Sequence, residues 1–367
     1  MTPTHKKNII IIIGAGFVGT TLAWYLSKKS DAQVILLDKA HAGQGVTQHA
    51  FAWLNVSYGR PDAYSQLRQQ ALVAWHELDK YTDGKLNIQW TGALSWQETE
   101  AATAEYVYLH QQSGFNVELL DKSTVHKMEP YLSVLPELAA FCPDEGSVDP
   151  IHATKTLLSF AIEQGVIYLP EQEVQAILQE GGRIIGVKTQ TDTFGAEQVI
   201  VTAGTDATTL MQSLHVELPV IASPSIIVHI NDSTEQTLVQ HIISTPQMEL
   251  RPAGSGKILC VEDYIDDKPE HNALAIAQNA LTTIKNSFIG SNTLNLENAF
   301  TGMRPMPKDE MPIVGKVADF EGLYIISMHA AITLAPLICQ LAQDEILHGI
   351  EQAALGPYRL TRFVSGN

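Results

Sequence analysis

The sequence contains few cysteines, and none of them lies close to another. Cys142, Cys260 and Cys339 are the three cysteines of the 367-residue chain, and the pattern C-x-x-C does not occur. A thiol redox pair and a cysteine zinc site are therefore not indicated, and we predict no metal site. Scattered single cysteines are typical of a reducing compartment, so we expect a cytoplasmic protein.

Long apolar runs and clusters of basic residues are absent as well. The apolar block at residues 8–14 is far shorter than the roughly 20 residues that a membrane-spanning helix needs, so no membrane span is expected. The chain carries 40 acidic and 23 basic residues, a formal net charge of −17, and has no Lys/Arg-rich run. Such a surface repels a phosphate backbone, so nucleic acid is not an expected partner.

The composition is typical of a globular protein with a large core. Apolar residues make up 45% of the chain and charged residues 17%, which argues against a disordered chain. A length of 367 residues is enough for two domains.

The first 38 residues predict a strand, a helix and a second strand. Ile9–Ile13 is a run of five β-branched residues, which is typical of a strand buried on both faces. A helical pattern follows at 17–29, and Val34–Asp38 predicts the second strand. We therefore expect a βαβ unit with a right-handed connection.

A glycine-rich turn joins the first strand to the helix. Residues 14–19, GAGFVG, match G-x-G-x-x-G. In this pattern Gly14 permits the tight turn, Gly16 lets the backbone approach a pyrophosphate, and Gly19 lets helix and strand pack closely. Asp38 lies 19 residues after Gly19, where a carboxylate can accept hydrogen bonds from ribose hydroxyls. The pattern predicts a dinucleotide site rather than an empty glycine turn, but it does not separate FAD from NAD.

The remaining chain predicts two kinds of layer. Helices are predicted at 61–81, 150–165, 273–289 and 334–347, and strands at 183–189, 198–202, 226–230, 248–251, 258–262 and 323–327. Residues 226–296 are typical of an antiparallel sheet with helices, whereas the last strand, turn and helix are more typical of a nucleotide-binding domain. The two domains are therefore expected to be interwoven.

Four segments together resemble the D-amino-acid oxidase superfamily, and within it glycine oxidase, sarcosine oxidase and D-amino-acid dehydrogenase. They are the fingerprint with Asp38, residues 43–50 (GQGVTQHA), residues 302–315 (GMRPMPKDEMPIVG) and residues 322–336. The third is similar to the family pattern G-x-R-P-x-x-x-D-x-x-P-x-x-G and is the most specific. The resemblance covers nearly the whole chain.

The resemblance implies an α/β protein with FAD as its cofactor. A Rossmann-like FAD-binding domain (residues 1–83, 142–215 and 301–367) would be interwoven with an α+β substrate domain built on an antiparallel sheet (residues 84–141 and 216–300). Related sarcosine oxidases attach the flavin through a cysteine near the arginine motif. Gly302 occupies that neighbourhood here, so noncovalent FAD is expected.

The expected cofactor contacts come from seven stretches of the chain. They are Gly14, Ala15, Gly16, Phe17, Val18, Gly19, Asp38, Lys39, Thr47, Gln48, Phe51, Ala52, Trp53, Val174, Ala203, Gly204, His329, Ala330, Ala331, Ile332 and Thr333. Residues 51–53 would bring small and flat surfaces to the flavin ring, with an exposed loop as the alternative. At 329–333 a helix N-terminus would stabilise charge on the reduced ring. Relatives often have glycine where Ala330 and Ala331 stand, and alanine disfavours positive φ.

Arg304 is the expected substrate anchor. A guanidinium pairs a carboxylate bidentately, and the resemblance gives the arginine of this motif that role. The alternative is a structural arginine that pairs with Asp309 or Glu310. We expect no strictly required general base, although His49 and His329 are candidates for one.

Glu249 stands where glycine oxidase has a tyrosine that helps to hold the substrate carboxylate. A carboxylate at this position would repel that group. Strand alternation puts Glu249 and Arg251 on one face, so they could pair with each other. Alternatively, Glu249 could contact the substrate and bind its ammonium group, which argues against glycine as the substrate.

The function implied is FAD-dependent oxidation of the C–N bond of a small amino acid or secondary amine that carries a carboxylate. Hydride transfer to flavin N5 would be followed by hydrolysis of the imine, with oxygen or a quinone as electron acceptor. The alternatives are an FAD-dependent 2-hydroxy-acid dehydrogenase and a flavoprotein subunit without independent activity. A homo-oligomer is compatible with the sequence.

Overall fold

The computed structural model describes residues 8–57, 59, 61–233 and 237–363, which form two compact units. The first unit takes in residues 1–48, 150–223 and 303–367, and the second takes in residues 49–149 and 224–302. The first division lies after residue 48, whereas the sequence-based boundary lies after residue 83. The assignment of FAD to one unit and substrate to the other stays a prediction.

The helices and strands follow the predicted order and add several short elements. The α-helices of the described residues are α1 (Phe17–Lys29), α2 (Ala63–Tyr81), α3 (Glu100–Gln112), α4 (Lys122–Met128), α5 (Pro150–Glu163), α6 (Ala207–Gln212), α7 (Ala273–Ser287) and α8 (Ala331–His348). The strands are β1 (Ile9–Ile13), β2 (Gln33–Leu37), β3 (Trp53–Leu54), β4 (Ala93–Ser95), β5 (Glu118–Asp121), β6 (Leu138–Cys142), β7 (Gly146–Ser147), β8 (Ile167–Leu169), β9 (Val174–Glu180), β10 (Arg183–Thr189), β11 (Thr193–Gly195), β12 (Gln198–Val201), β13 (Val220–Asn231), β14 (Ile242–Ser244), β15 (Glu249–Pro252), β16 (Lys257–Asp263), β17 (Asn295–Pro307), β18 (Ile313–Lys316) and β19 (Leu323–Ser327).

The first unit is built on a six-stranded sheet of order β18-β19-β12-β1-β2-β8. Strand β1 pairs in parallel with β2 and β12, and β12 pairs in parallel with β19. This confirms the predicted βαβ unit. Ile13 lies opposite both Leu37 and Val201, so the loops after β1, β2 and β12 begin at one edge of the sheet. In doubly wound sheets this carboxyl edge is where ligands bind.

Apolar burial on both faces fixes this central sheet. Residues 10–13 of β1 are at most 5% exposed, as a parallel strand covered on two sides requires. Helix α1 packs against α5 and α8. A three-stranded antiparallel sheet, β11-β10-β9, adds to the same core.

A charged network fixes the C-terminal segment of the first unit. The buried Glu345 carboxylate accepts hydrogen bonds from Tyr324 Oη at 2.6 Å and from both terminal nitrogens of Arg359. Gly315, the last residue of the arginine motif, has φ +142°, and a Cβ there would lie 2.6 Å from Arg359 Nη1. Gly315 therefore leaves the space that the Arg359 side chain occupies.

The second unit is built on an eight-stranded sheet of order β17-β13-β16-β15-β14-β4-β6-β5. Its pairs from β13 through β14 are antiparallel, as are β4 with β6 and β6 with β5, whereas β14 and β4 are parallel. The predicted antiparallel sheet is thus confirmed, with one parallel pair that the sequence did not indicate.

The two faces of this sheet differ in chemistry. One face, the core face, packs against the apolar side of α7, and its buried residues include Leu94, Ala139, Ile226, Val228, Ile230, Ile243, Leu250, Ile258 and Cys260. Strand register assigns the alternate positions to the other face, which we call the polar face. These include Ser95, His229, Ser244, Glu249 and Arg251.

None of the helices in the described ranges is long and apolar enough to cross a membrane.

Candidate functional site

Glycines 14, 16 and 19 form a cradle that larger residues would fill. Gly14 has φ +106°, and a Cβ there would lie 2.6 Å from the Thr202 carbonyl oxygen. A Cβ on Gly19 would lie 1.8 Å from the Gly14 carbonyl oxygen. Gly16 is the N-cap of α1 and has no side chain to cap the helix, and the first turn contains no acidic residue. This positive helix end, with backbone exposed by glycine, fits a pyrophosphate.

The side chains of Asp38 and Thr47 form hydrogen bonds with the backbone of this cradle. The Asp38 carboxylate accepts hydrogen bonds from Ala15 N at 2.6 Å and from Ala40 N at 2.8 Å. Burial raises the pKa of Asp38, although these two bonds favour its charged form. Thr47 Oγ1 accepts from Phe17 N at 3.2 Å. Because each carboxylate oxygen has two lone pairs, Asp38 can still accept a ribose hydroxyl.

Two other predicted contacts are surface side chains with local partners. Lys39 forms an ion pair with Asp206 at 2.5 Å, with both side chains about half exposed. Gln48 is exposed and donates to the carbonyl oxygen of Gln44.

The loop after β12 contacts the same glycine turn. Thr202 Oγ1 donates to the carbonyl oxygens of Ile13 and Gly14, both at 2.9 Å. Ala203 and Gly204 follow directly, with Gly204 at φ +58°. Val174, the first residue of β9, is buried in the core of the first unit.

The turn before α8 does not use the positive φ that alanine disfavours. Ala330 has φ −79°, and Ala331 is not among the described residues with positive φ. Neither position uses the left-handed region, so the backbone of this turn does not require glycine. Ala331 N donates to His329 O at 2.8 Å, and the N-terminus of α8 has no side-chain cap and no acid in its first turn. This end of α8 can face developing negative charge.

In the second unit, Arg251 fixes the segment that begins at Phe51. Its Nε donates to Phe51 O at 2.6 Å, and its terminal nitrogens donate to Ser147 Oγ at 3.4 Å, Val148 O at 3.4 Å and Pro252 O at 3.1 Å. Burial lowers the pKa of Arg251 to about 10. A buried guanidinium is tolerated when its donors are used in this way.

Glu145 holds the other end of this segment. Its fully buried carboxylate accepts from Trp53 Nε1 at 2.8 Å and from the amides of Val56 and Ser57, both at 2.7 Å. Burial raises the pKa of Glu145, and these donors oppose the rise. Ala52, between Phe51 and Trp53, has φ +55°. Non-glycine residues in this region are strained, so the two charged side chains fix a strained segment.

Residues 51–53 lie over the polar face of the second sheet. Phe51 and Trp53 pack with Ala93 and Ile242, which belong to that face by register. An exposed loop, the alternative for this stretch, is therefore wrong. The sheet face beneath the predicted flavin segment is the face that carries Glu249.

Glu249 does not pair with Arg251. The Arg251 donors go to the segment at Phe51 and to neighbouring oxygens, and Glu249 accepts instead from Ser244 Oγ at 3.1 Å. Burial raises the pKa of Glu249 to about 7, and the nearby carboxylates of Asp263 and Glu262 add to the rise. The first of the two alternatives for Glu249 is thus wrong.

His49 lies in an aromatic group with Phe300 and His229. The His49 ring stacks on Phe300 with centroids 5.0 Å apart, and His229 meets Phe300 edge-on at 5.4 Å. A Cβ on Gly302 would lie 3.1 Å from His49 Cβ, which explains the first glycine of the arginine motif. Burial lowers the pKa of both histidines. Burial thus favours the neutral form of each ring.

Arg304 is half-buried near the end of β17. Its Nε donates to Ser223 O at 3.3 Å and its Nη2 to Ser223 Oγ at 3.1 Å. Asp309, the alternative partner, binds Arg362 through both carboxylate oxygens at 2.7 and 2.9 Å. The motif aspartate therefore serves the C-terminal segment rather than Arg304.

Sequence reasoning missed Glu145, His229 and the role of Arg251. Glu145 stands in an Asp-Glu-Gly turn that looks solvent-exposed, and its partner Trp53 is 92 residues away. Nothing local signals that contact. Period-2 alternation in β13 could have placed His229 opposite the apolar positions at 228 and 230.

No group of three or more His, Cys, Asp or Glu side chains within the described residues could hold a metal ion.

The family model for FAD-dependent oxidoreductases of the DAO type matches residues 10–345. The chain belongs to this family. A D-amino acid dehydrogenase from Vibrio vulnificus (strain YJ016) is 23% identical over 389 residues, which cover 88% of this chain and 91% of that protein. A 4-methylaminobutanoate oxidase (formaldehyde-forming) from Paenarthrobacter nicotinovorans is 25% identical over 228 residues, 61% of this chain but 27% of that oxidase.

Solved structures show the same fold. Glycine oxidase from Bacillus cereus ATCC 14579 superposes with a TM-score of 0.85 and 21% identity, covering 98% of this chain and all of that one. L-amino acid deaminase from Proteus vulgaris, with its specific insertion sequence deleted, gives a TM-score of 0.88 and 20% identity, covering 98% and 94% of the two chains. The predicted fold class and FAD as cofactor are thereby confirmed. Noncovalent attachment stays a prediction.

Replacing Gly19 with Ala should abolish stable FAD binding. The added Cβ would lie 1.8 Å from the Gly14 carbonyl oxygen, so the glycine turn must shift. The measurement is the flavin absorbance that stays with the protein through gel filtration. Gly45→Ala is the matched control, because no atom lies within 4 Å of a Cβ there. Equal FAD retention in both variants would contradict the cradle.

Replacing Glu145 with Gln should lower the free energy of unfolding by roughly 1–3 kcal/mol, because the amide NH2 would face N–H donors. Urea unfolding at pH 7 measures the loss. Glu118→Gln, on the exposed strand β5, is the control and should change stability by less than about 0.5 kcal/mol. An unchanged urea midpoint for Glu145→Gln would contradict the role of Glu145 in stabilising the segment that begins at Phe51.

The Glu249 carboxyl should make stability depend on pH. Its folded pKa, about 7, is above its ordinary value of 4.5, so its favourable contribution is complete below pH 4.5 and is lost as pH rises through 7. Glu249→Gln should therefore gain roughly 1–3 kcal/mol relative to the native protein between pH 5 and pH 8.5. Urea unfolding at both pH values measures this, with Glu118→Gln as the surface-charge control. If the difference in free energy of unfolding between Glu249→Gln and the native protein is the same at both pH values, the raised pKa of Glu249 is contradicted.

Proposed function

We propose that this protein oxidises the C–N bond of a small amino acid or secondary amine that carries a carboxylate. The observation that carries the proposal is the placement of Arg304. Its guanidinium is oriented by hydrogen bonds to the carbonyl oxygen and the hydroxyl of Ser223. A fixed guanidinium fork is the group best suited to a carboxylate.

The protein's own part in this reaction is to bind and orient the substrate. Bound FAD supplies the hydride acceptor, at N5 of its flavin ring. Arg304 holds the carboxylate, which places the carbon that bears the amine for reaction. The resulting imine is hydrolysed by water to an oxo acid or an aldehyde. Oxygen or a quinone would be the final electron acceptor.

The substrate amine must be neutral before the hydrogen on the adjacent carbon can leave as a hydride, because the nitrogen lone pair forms the imine bond. A required general base is not expected, and His49 is the candidate acceptor of the ammonium proton. Burial lowers its pKa and so favours the neutral ring, and its buried Nδ1 has no hydrogen-bond partner among the described residues. His229, against the other side of Phe300, is a second imidazole of the same group.

The relatives support an amine rather than a hydroxy acid as substrate. The matched proteins include a D-amino acid dehydrogenase, a 4-methylaminobutanoate oxidase and an opine oxidase component from Agrobacterium tumefaciens (strain Ach5). These relatives do not favour the alternative of a 2-hydroxy-acid dehydrogenase.

We propose the cytoplasm as the site of the reaction.

Anaerobic titration tests the reaction type. The purified FAD protein is mixed with glycine, sarcosine, proline, D-amino acids and 2-hydroxy acids, and flavin bleaching is followed at each addition. We expect bleaching by one or more amines and none by the hydroxy acids. Bleaching by hydroxy acids alone would overturn the proposal.

Replacing Arg304 with Ala should raise KM for a carboxylate-bearing amine by roughly 10²–10³-fold while FAD stays bound. Replacement by Lys should recover part of the loss, because an ammonium keeps the charge but not the bidentate fork. Steady-state kinetics and the bound-flavin spectrum provide the two readouts. Arg183→Ala, an exposed arginine of β10, is the control. Unchanged kinetics in Arg304→Ala would rule out the anchor.

A further inference from the structure

Glu249 is a half-buried carboxylate without a counter-ion. It lies on the polar face of the second sheet, between Ser244 on β14 and Val261 on β16. Its recorded partner is the neutral hydroxyl of Ser244, at 3.1 Å. No Lys, Arg or His forms an ion pair with it in residues 8–57, 59, 61–233 and 237–363.

The natural counter-ion is close in sequence but is used elsewhere. Arg251 shares the face of β15 with Glu249, yet all of its recorded donors go to Phe51 O, Ser147 Oγ, Val148 O and Pro252 O. A buried carboxylate without a cation is destabilising unless it takes up a proton or a ligand supplies positive charge.

The two faces of the sheet offer different surroundings to a small ligand. The opposite face is filled by the apolar core of the second unit. The polar face instead carries Phe51 and Trp53, the residues that the sequence assigns to the flavin ring. Glu249 therefore shares a surface with part of the predicted cofactor site. The net charge of −17 also attracts cationic ligands.

The reacting amine itself is a poor partner for this carboxylate. A carboxylate beside it would stabilise the ammonium form, whereas hydride loss requires the neutral amine. A permanent positive charge elsewhere in the substrate carries no such penalty. A guanidinium, which also matches the carboxylate's two oxygens, fits best.

We propose that Glu249 binds a second positively charged group of the substrate, so that the preferred substrates are basic amino acids or related amines with a guanidinium or distal ammonium group. This inference rests on the proposed function for its reaction, but it concerns binding and can be tested separately.

The test compares arginine with citrulline, in both enantiomers. The two amino acids are nearly isosteric, but citrulline carries a neutral urea in place of the guanidinium. Affinity is measured by calorimetry on the FAD-loaded protein, and flavin reduction is followed anaerobically on the same samples. The proteins are the native chain, Glu249→Gln and the control Glu262→Gln. Glu262 is one strand away, on the core face, and contacts Cys260 Sγ at 3.4 Å.

The native protein should bind arginine roughly 10–100-fold more tightly than citrulline, as expected for a close, partly buried charge pair. Glu249→Gln should reduce the ratio of the two affinities to about threefold or less, mainly by weakening the binding of arginine. Glu262→Gln should preserve the ratio. Flavin content and thermal midpoint report whether each variant is folded.

The outcomes separate the two proposals. Equal affinity for arginine and citrulline in the native protein, no binding of either, or a ratio unaffected by Glu249→Gln would overturn the inference. Loss of the ratio in Glu262→Gln as well would do the same, because a general charge effect would then explain it. If arginine is preferred through Glu249 but no amine reduces the flavin, the binding inference stands and the proposed reaction fails.

Discussion

The close approach of Gly19 to the Gly14 carbonyl sets the geometry of the first unit. A Cβ on Gly19 would lie 1.8 Å from that oxygen and 2.7 Å from Thr202 Oγ1, so helix α1 can start directly at the carboxyl edge of the sheet only without side chains there. The Thr202 hydroxyl and the Asp38 carboxylate then bind the turn from the two neighbouring strands. Register across β1, β2 and β12 brings these three loops to one edge of the sheet, where the sequence predicts the pyrophosphate site.

Much of this first unit could be predicted, because its signals are local. The strand at Ile9–Ile13 and the helix at Phe17–Lys29 have the predicted bounds. A local signal also set a helix start in the second unit. Helix α2 begins at Ala63 rather than at Pro61, because the Asp62 carboxylate caps it through Ser65 N. The arginine motif begins on β17 and ends on β18, which the sequence did not indicate.

The second unit was harder to predict, because its contacts connect distant parts of the chain. Short strands such as β3 and β7 have no periodic pattern of their own, and they pair across more than 90 residues. The positive φ of Ala52 has no glycine to signal it and depends on tertiary support from Arg251 and Glu145. For the same reason, proximity in sequence was misleading for Glu249 and Arg251. Alternation placed them correctly on one face, but it could not say what else Arg251 would meet.

The contrast between Glu145 and Glu249 shows why only one of them is a candidate for ligand binding. Both carboxylates belong to the second unit, and burial raises the pKa of each. Three N–H donors, fixed by the backbone and by Trp53, converge on Glu145, so its oxygens are satisfied within the fold. Glu249 has one hydroxyl as its recorded donor, although an arginine stands two residues away on the same strand face. The fold commits that arginine to Phe51, which fixes the segment over the sheet and leaves the charge of Glu249 to be balanced by a proton or by a ligand.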